Sequence, residues 1–310
     1  MTPVQAIRSF KGIGMLLRLV AVIFSSVAAL LSATLPLMMH YSLSWFSVGS
    51  TFMLLLIGAI VIHGGLTHAL NDIADHQSGT DQVSPGILSG GSRVIQTNTL
   101  PITMLKQLGL WLSLVLLLAS FLFAVFDYRE FAILTLVGVW GAVSYSMRPL
   151  QLSYLPFAGE WLSLFPAMLL LGIAMSWVIL DHLPVWAWQN ALVNAVWCMA
   201  WVMFHHIPDR EADRQAKPMK RTSVVWAIDR FGSKWAIFPA ILYFLIVGSL
   251  CVWIAFTRPI AAIGAVLILL YAIRIVQQTD IDDIEELTKN EKQLLVLAMA
   301  TALWLGFFSG

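Results

Sequence analysis

Charge is scarce in this chain. The 18 Lys+Arg and 17 Asp+Glu make up 11% of 310 residues, against about 25% in an ordinary soluble domain. That excludes a water-soluble globule, and so little charge excludes an extended disordered chain. The net charge of +1 leaves no basic surface for nucleic acid. Cysteine is nearly absent. Cys198 and Cys251 each sit inside an apolar run, which provides neither a disulfide framework nor metal-ligand spacing, and both read as small core residues. No Gly-rich phosphate loop of the Walker type is present. No small-residue cleavage site follows Arg8 and Lys11, so the apolar run containing Arg18 reads as a retained first helix. Apolar residues, by contrast, reach 59% and the mean hydropathy is +0.82. These values point to an integral membrane protein with many spans.

Nine apolar segments stand out, roughly 14–38, 45–70, 103–126, 130–146, 157–180, 184–206, 235–256, 259–276 and 293–309. Backbone polar groups in lipid must be satisfied internally, so each segment is expected to be a helix. The fold class expected is an all-α bundle of nine transmembrane helices forming one domain over 1–310. The longer connections, 71–102, 207–234 and 274–292, follow segments two, six and eight, so with nine spans they share one membrane face with the N-terminus and the loop 147–156. Among the basic residues only Arg129 and Arg258 fall on the other face, and among the acids only Asp127, Glu130 and Asp181. The positive-inside rule then makes the charged face cytoplasmic. An Asp-rich stretch follows segment two and another follows segment six, which suggests two four-helix halves plus a ninth helix.

The first stretch runs from His68 through Asn71, Asp72 and Asp75 to Gly79 and Asp81. If segment two continues as a helix, Asn71, Asp72 and Asp75 share one face, with His68 one turn before Asp72. Carboxylates at the end of an apolar segment are costly and therefore point to function. In the second stretch Asp209 and Asp213 are again one turn apart, and Lys217, Lys220 and Arg221 follow. Two facing acidic clusters repel each other unless a cation joins them. Mg²⁺ binds through a few carboxylates plus substrate phosphates, and Lys and Arg pair with the remaining phosphate oxygens. The surrounding apolar helices suit a greasy partner of the diphosphate, so an isoprenyl diphosphate fits better than a nucleotide. The plainer alternative is that both stretches are solvated loop charges.

With these motifs the sequence resembles the UbiA superfamily of membrane prenyltransferases. Its members carry Asn-Asp-x-x-Asp after helix two and Asp-x-x-x-Asp after helix six, matched here by Asn71-Asp72-x-x-Asp75 and Asp209-x-x-x-Asp213. Finer features are similar to the 1,4-dihydroxy-2-naphthoate (MenA-like) branch. These are Gly79-x-Asp81, the run Ser89-Gly90-Gly91-Ser92-Arg93-Val94-Ile95, and Tyr145 to Tyr154 with Gly159-Glu160 following. The chain departs from the pattern in three places, one of them an N-terminal segment without the expected Arg-Pro start. Lys217 holds the Gly place of the second motif, with Lys220-Arg221-Thr222 two residues late, so either lysine remains open as the phosphate contact. His205-His206 stands where the family often has Asn.

The resemblance implies Mg²⁺-dependent alkylation of an aromatic acceptor by an allylic polyprenyl diphosphate within the lipid bilayer. Asp72, Asp75, Asp209 and Asp213 are the implied catalytic and metal-holding residues, with Asp81 and Asn71 as further ligands. Arg93, Lys217, Lys220 and Arg221 are the implied diphosphate contacts. Acceptor-side candidates are His68, Tyr145, Arg148, Tyr154, Glu160 and His205. For each a plainer role stays open: Arg148 as a positive-inside anchor, Tyr154 as an interface tyrosine, Glu160 as a helix-start acid, and the histidines as polar residues near the headgroups. The acid-rich segment 278–292 reads as a solvated loop, with a lid or partner contact as the alternative. Three rival functions remain in view. They are a superfamily enzyme that cyclises or uses another acceptor, a CDP-alcohol phosphotransferase that lacks its usual signature here, and a non-catalytic lipid binder or transporter.

Overall fold

In the computed structural model the described residues are 12–180 and 182–309. Arg8, Lys11 and Asp181, part of the charge pattern above, lie outside the described residues, as does the N-terminus. The chain is 80% helix, with no strand among the described residues. Its long helices are α1 (Gly12–His40), α2 (Trp45–Ser78), α3 (Ile102–Val125), α4 (Arg129–Ser146), α5 (Glu160–Leu180), α6 (Val185–His205), α7 (Ser233–Ala255), α8 (Pro259–Gln278) and α9 (Ile284–Phe307). Six of them, α1, α2, α3, α5, α7 and α8, are long and apolar enough to cross a membrane. The other three carry more polar residues. α4 opens on Arg129-Glu130, α9 opens on a charged turn, and α6 holds Gln189, Asn190 and Asn194. Those amides cost little because α6 is the central helix, buried along most of its length.

Each long helix packs on its neighbour in sequence, and α1 packs on α9, which closes the bundle around α6. The largest apolar core joins α6 through α9, with Trp197 and Phe244 edge to face at 5.1 Å. At one end of the bundle the three long connections meet. The Lys217 N–H donates to Ser78 O at 2.9 Å, and Arg210 reaches Ile281 O at 2.9 Å and Asp282 at 2.5 Å. At the other end Arg258 is 5% exposed. Its guanidinium donates to Gln189 Oε1 at 3.0 Å, Asn190 Oδ1 at 2.9 Å and Leu305 O at 3.3 Å. Asn190 in turn donates to Ser32 O at 3.0 Å. This network ties α1, α6, α8 and α9 together.

Two helix boundaries differ from the sequence expectation. α2 runs on to Ser78 and stops where Gly79 turns left-handed (φ 91°), its N–H returning to Asp75 O at 3.1 Å. α9 begins at Ile284, because the Asp283 carboxylate accepts from the N–H groups of Glu285 and Glu286 at 2.9 and 3.0 Å. Acids in a first helical turn are favoured by the dipole, so the expectation of a solvated loop through 292 is corrected. Glu291 is fully buried inside that helix. Three helices also contain wide π-type turns, at Ile23–Val27, Ile60–Thr67 and Glu160–Leu164.

Replacing Arg258 with Met strands Asn190 Oδ1 and leaves Gln189 Oε1 only its 3.4 Å bond from the Thr257 hydroxyl. Leaving buried acceptors unsatisfied costs about 1–3 kcal/mol. Thermal unfolding of the full chain in detergent is expected to move down by several degrees. An unchanged transition would remove this network from the account of how the bundle closes.

Candidate active site

The end of the bundle where the connections meet holds both acidic stretches. Asp72 and Asp75 occupy the last turns of α2, and Asp81 sits in the helical turn Thr80–Val83. Asp209 starts the short helix Arg210–Gln215, and the Asp213 N–H donates to Asp209 O at 2.8 Å. None of the five carboxylates is more than 5% exposed. The chain between α2 and α3 crosses over them. The Ser89 hydroxyl donates to Asp209 Oδ1 at 2.9 Å and Ser84 donates to the same oxygen. Ser92 donates to Asp72 through its N–H, at 3.1 Å, and through its hydroxyl. Gly91 has φ 69°, and a Cβ there would run into the Asp81 carboxylate, so the close approach needs glycine twice over. Arg93 fastens this segment by donating to Ser84 O and Gly86 O, 3.0 Å each.

Lys220 brings the two stretches together. Its Nζ lies 2.8 and 2.9 Å from the Asp75 oxygens and 3.8 Å from Asp213 Oδ1, and 5.8 Å from the Tyr154 ring centroid. Asn71 donates to Asp75 Oδ2 at 3.0 Å. Burial works against the Lys220 ammonium, but Asp75 and Asp213 outweigh it and hold the group charged, well above the usual lysine range. Burial raises Asp209 and raises Asp213 strongly. Burial, then Asp75 and Asp72, push Asp81 up to about 8. His206 is lowered by burial and then by Lys220.

These acids fit a hard divalent cation. Asp81 Oδ1 and both Asp213 oxygens are buried without a hydrogen-bond partner, and a buried polar atom left unpaired is unfavourable. No group of three or more His, Cys, Asp or Glu converges into a ready-made metal cage among the described residues. The donors are carboxylate oxygens on two separate stretches. That arrangement suits Mg²⁺, which keeps waters and takes substrate phosphate oxygens as ligands.

A cavity of about 260 Å³ opens beside this cluster. Its polar lining includes Arg18, Asn71, Asp75, Asp209, Lys220 and four histidines, His63, His68, His205 and His206. Its walls continue along α2, α4 and α5 to Leu55, Phe131, Leu134 and Leu171. The three wide turns all contribute lining residues, among them Ser26, His63 and Ser163, as such turns often do at functional sites.

The sequence-derived candidates divide clearly. Asn71, Asp75, Asp209, Lys220, His68, Tyr145 and His205 line the cavity. Asp72, Asp81 and Asp213 are buried beside it. Arg93 spends its donors on the serine segment. Tyr154 lies against Lys220, and Glu160 is buried accepting from Ser223 Oγ at 2.6 Å, off the cavity wall. Lys217, Arg221 and Arg148 are exposed and do not line the cavity. Residues not foreseen include Ser84, Ser89 and Ser92 as acid partners. His206 Nε2 lies 3.2 Å from Tyr145 Oη, and Arg18 and Glu291 flank His205. Arg18 carried a signal as a charge inside an apolar run, and Ser89, Ser92 and His206 lay in stretches already singled out, without a sign of these partners.

A model of the UbiA prenyltransferase family matches residues 21–297. No curated protein and no solved structure matches the chain. The matched residues take in both acidic stretches, the serine segment between them, five of the six helices apolar enough to cross a bilayer, and α1 from residue 21 on. This integral, multi-pass membrane protein belongs to the UbiA prenyltransferase family.

Proposed function

We propose that the protein transfers a prenyl group from an allylic polyprenyl diphosphate to an aromatic acceptor in a Mg²⁺-dependent reaction. 1,4-Dihydroxy-2-naphthoate, in menaquinone-type quinone biosynthesis, is the leading acceptor. The observation that carries this reading is one cavity with two chemistries, carboxylates and a buried ammonium at the head and aliphatic and aromatic walls below. All nine long helices span the membrane in this reading, with the acidic end and the N-terminus facing the cytoplasm.

Asp72, Asp75, Asp81, Asp209 and Asp213 hold the cation directly or through water, and Asn71 orients Asp75. Bound there, Mg²⁺ supplies the electrophilic pull on the departing diphosphate. Lys220, already buried between the two stretches, pairs with phosphate oxygens. Arg93 acts on the diphosphate through the segment it braces, and Lys217 and Arg221 serve the approach of the anion from outside. As the allylic C–O bond ionises, aromatic faces on the cavity wall stabilise the cation. His68, Tyr145 and His205 stand on the acceptor side of the cavity. Arg148, Tyr154 and Glu160, away from its wall, shape that side indirectly. One observation favours a related acceptor over the naphthoate, the His205-His206 pair in a position where the family often has Asn. A transporter or lipid binder is disfavoured because the ionisable groups gather at one end of the bundle, whereas transporter sites sit near the midplane.

The assay uses the full chain in detergent with Mg²⁺, allylic diphosphates of several lengths and the naphthoate. Diphosphate release that depends on the acceptor, with a prenylated product, is expected. Release without acceptor would favour a cyclase, and no release with any aromatic acceptor would defeat the reading.

Asp72→Ala or Asp209→Ala is expected to abolish turnover while the protein still inserts and folds; full activity in either removes the metal-site assignment. Among the cations, Lys220→Met is expected to cost about 10²–10³-fold in kcat, the range for losing one preorganised electrostatic contact. Lys217→Met and Arg221→Met are expected to change it only a few-fold. The reverse order would assign the phosphate contact to the exposed cations.

A further inference from the structure

A second cavity, of about 720 Å³, lies between α2, α3 and α4. It shares no lining residue with the cavity described above. Its floor is Leu70 and Ile73 of α2, both buried. A Cβ on Gly109 would come within 2.7 Å of Leu70 Cδ2, so glycine there lets α3 lie directly on α2. The rim is apolar and exposed, with Leu110 and Leu117 on α3 and Leu136 and Trp140 on α4. The lining runs along α3 from Lys106 to Leu117, about 16 Å of helix at about 1.5 Å per residue. That is roughly half of a hydrocarbon core about 30 Å thick, the depth of one leaflet. Polar groups are unevenly spread along this groove. Gln77 and Lys106 stand where α2 finishes and α3 begins, at the acidic end of the bundle, and both are exposed. Lower down, the Ser113 hydroxyl donates to Gly109 O at 2.8 Å, and Trp140 Nε1 donates to Leu162 O at 2.8 Å. Both donors are therefore spent inside the protein. Lys106 is the only charged residue of α3, and among the described residues no acid lines the groove.

We propose that this groove binds one anionic phospholipid from the leaflet at the acidic end of the bundle. Its phosphate meets the Lys106 ammonium and the Gln77 amide, and one acyl chain lies between α3 and α4 over Leu70 and Ile73. Three observations converge on that occupant. A lysine in a groove without acids complements a phosphodiester in charge. The apolar length matches a chain that reaches the middle of the bilayer. The path of that chain meets no unspent donor. A soluble phosphate gains nothing from the apolar length, and a lipid without net charge gains little from Lys106. Occupancy also bears on the acids. Leu70, Ile73 and Gln77 share one face of α2 by their spacing, while Asn71 and Asp75 on the same turns line the first cavity. A lipid seated on the first face braces the turns that carry the second. The site requires only that α2 and α3 cross the bilayer, so it stands apart from the prenyl-transfer reading.

The test uses the full chain in a non-ionic detergent, stripped of lipid and then given phosphatidylglycerol or phosphatidylcholine with the same acyl chains. Native mass spectrometry counts bound lipid, and thermal unfolding reads its effect. Wild type is expected to hold one phosphatidylglycerol more tightly than phosphatidylcholine. It is also expected to unfold several degrees higher with that lipid bound, since a ligand of the folded state stabilises it. Lys106→Gln is expected to weaken phosphatidylglycerol about fivefold, the usual worth of one lysine near an anionic surface, and to leave phosphatidylcholine unchanged. Arg274→Gln, which removes an exposed cation of α8, is expected to change neither. Ser113→Phe fills the groove and is expected to weaken both lipids. Should that variant misfold, a phospholipid with a photoactivatable chain maps the seat in wild type, with label expected between Lys106 and Leu117 and between Leu136 and Met147. Hydrogen exchange over residues 68–78 is expected to slow with phosphatidylglycerol. Equal affinity for the two headgroups, a preference that survives Lys106→Gln, or label spread evenly around the bundle overturns the site. A dimer that covers α3 and retains no lipid assigns the groove to a second copy of the chain instead. Unchanged exchange over 68–78 with lipid bound overturns the bracing.

Discussion

Lys220 Nζ sits within 3.0 Å of both Asp75 oxygens and 3.8 Å from Asp213, in a site from which water is almost entirely removed. Much of the architecture at this end of the bundle follows from that contact. Five carboxylates lie buried around a single buried ammonium, an imbalance that low-dielectric surroundings penalise heavily. The chain meets the deficit in two ways. Serine hydroxyls are brought to Asp72 and Asp209, and the pKa of Asp81 rises to about 8. In the proposed reaction a dication and a diphosphate answer the remaining deficit together, because the phosphate oxygens complete the coordination that the protein leaves open.

The same constraint explains why the serine segment lies where it does. Its hydroxyls must reach acids on two different stretches, so it has to cross the gap between the end of α2 and the start of Arg210–Gln215. Gly91 allows the approach to Asp81, Arg93 keeps the turn folded, and Arg18 from α1 donates to Leu88 O. The segment thus reports on both acidic stretches and on the first helix at once. Beneath it, the wide turns of α1, α2 and α5 shift side chains away from simple helical register, which opens the cavity between helices that otherwise pack closely.

Much of this was legible in the sequence. Of the nine apolar runs read as spans, six coincide with helices long and apolar enough to cross a membrane, and the spacing of Asn71 and Asp75 put them one turn apart, where they hydrogen-bond. The parts that were not legible have physical causes. A wide turn has the same composition as the helix around it, so Ile60–Thr67 leaves no mark in an apolar run. Ser84, Ser89 and Ser92 lie in a loop without periodicity, and only the fold gives them partners. The beginning of α9 was hidden because a capping aspartate followed by acids looks like a charged loop, although that pattern is also a good helix start. Lys217 and Lys220 are equivalent by composition. The difference between them arises from the Lys220 N–H donating to Asp213 O at 2.9 Å, which turns that side chain inward.

Closure of the bundle has a chemical consequence beyond stability. Arg18 and Glu291 lie near opposite ends of the chain, and only the packing of α1 on α9 around α6 brings both to His205. α9 brings a carboxylate there because its charged opening turns are helical and Glu291 is buried within it, and α1 brings a guanidinium to the other ring nitrogen. Changes that loosen the α1–α9 seam therefore act on the groups that line the cavity even when every acid and Lys220 remain in place. In this fold the distant helices that complete the wall also hold the His205 ring between a cation and a carboxylate.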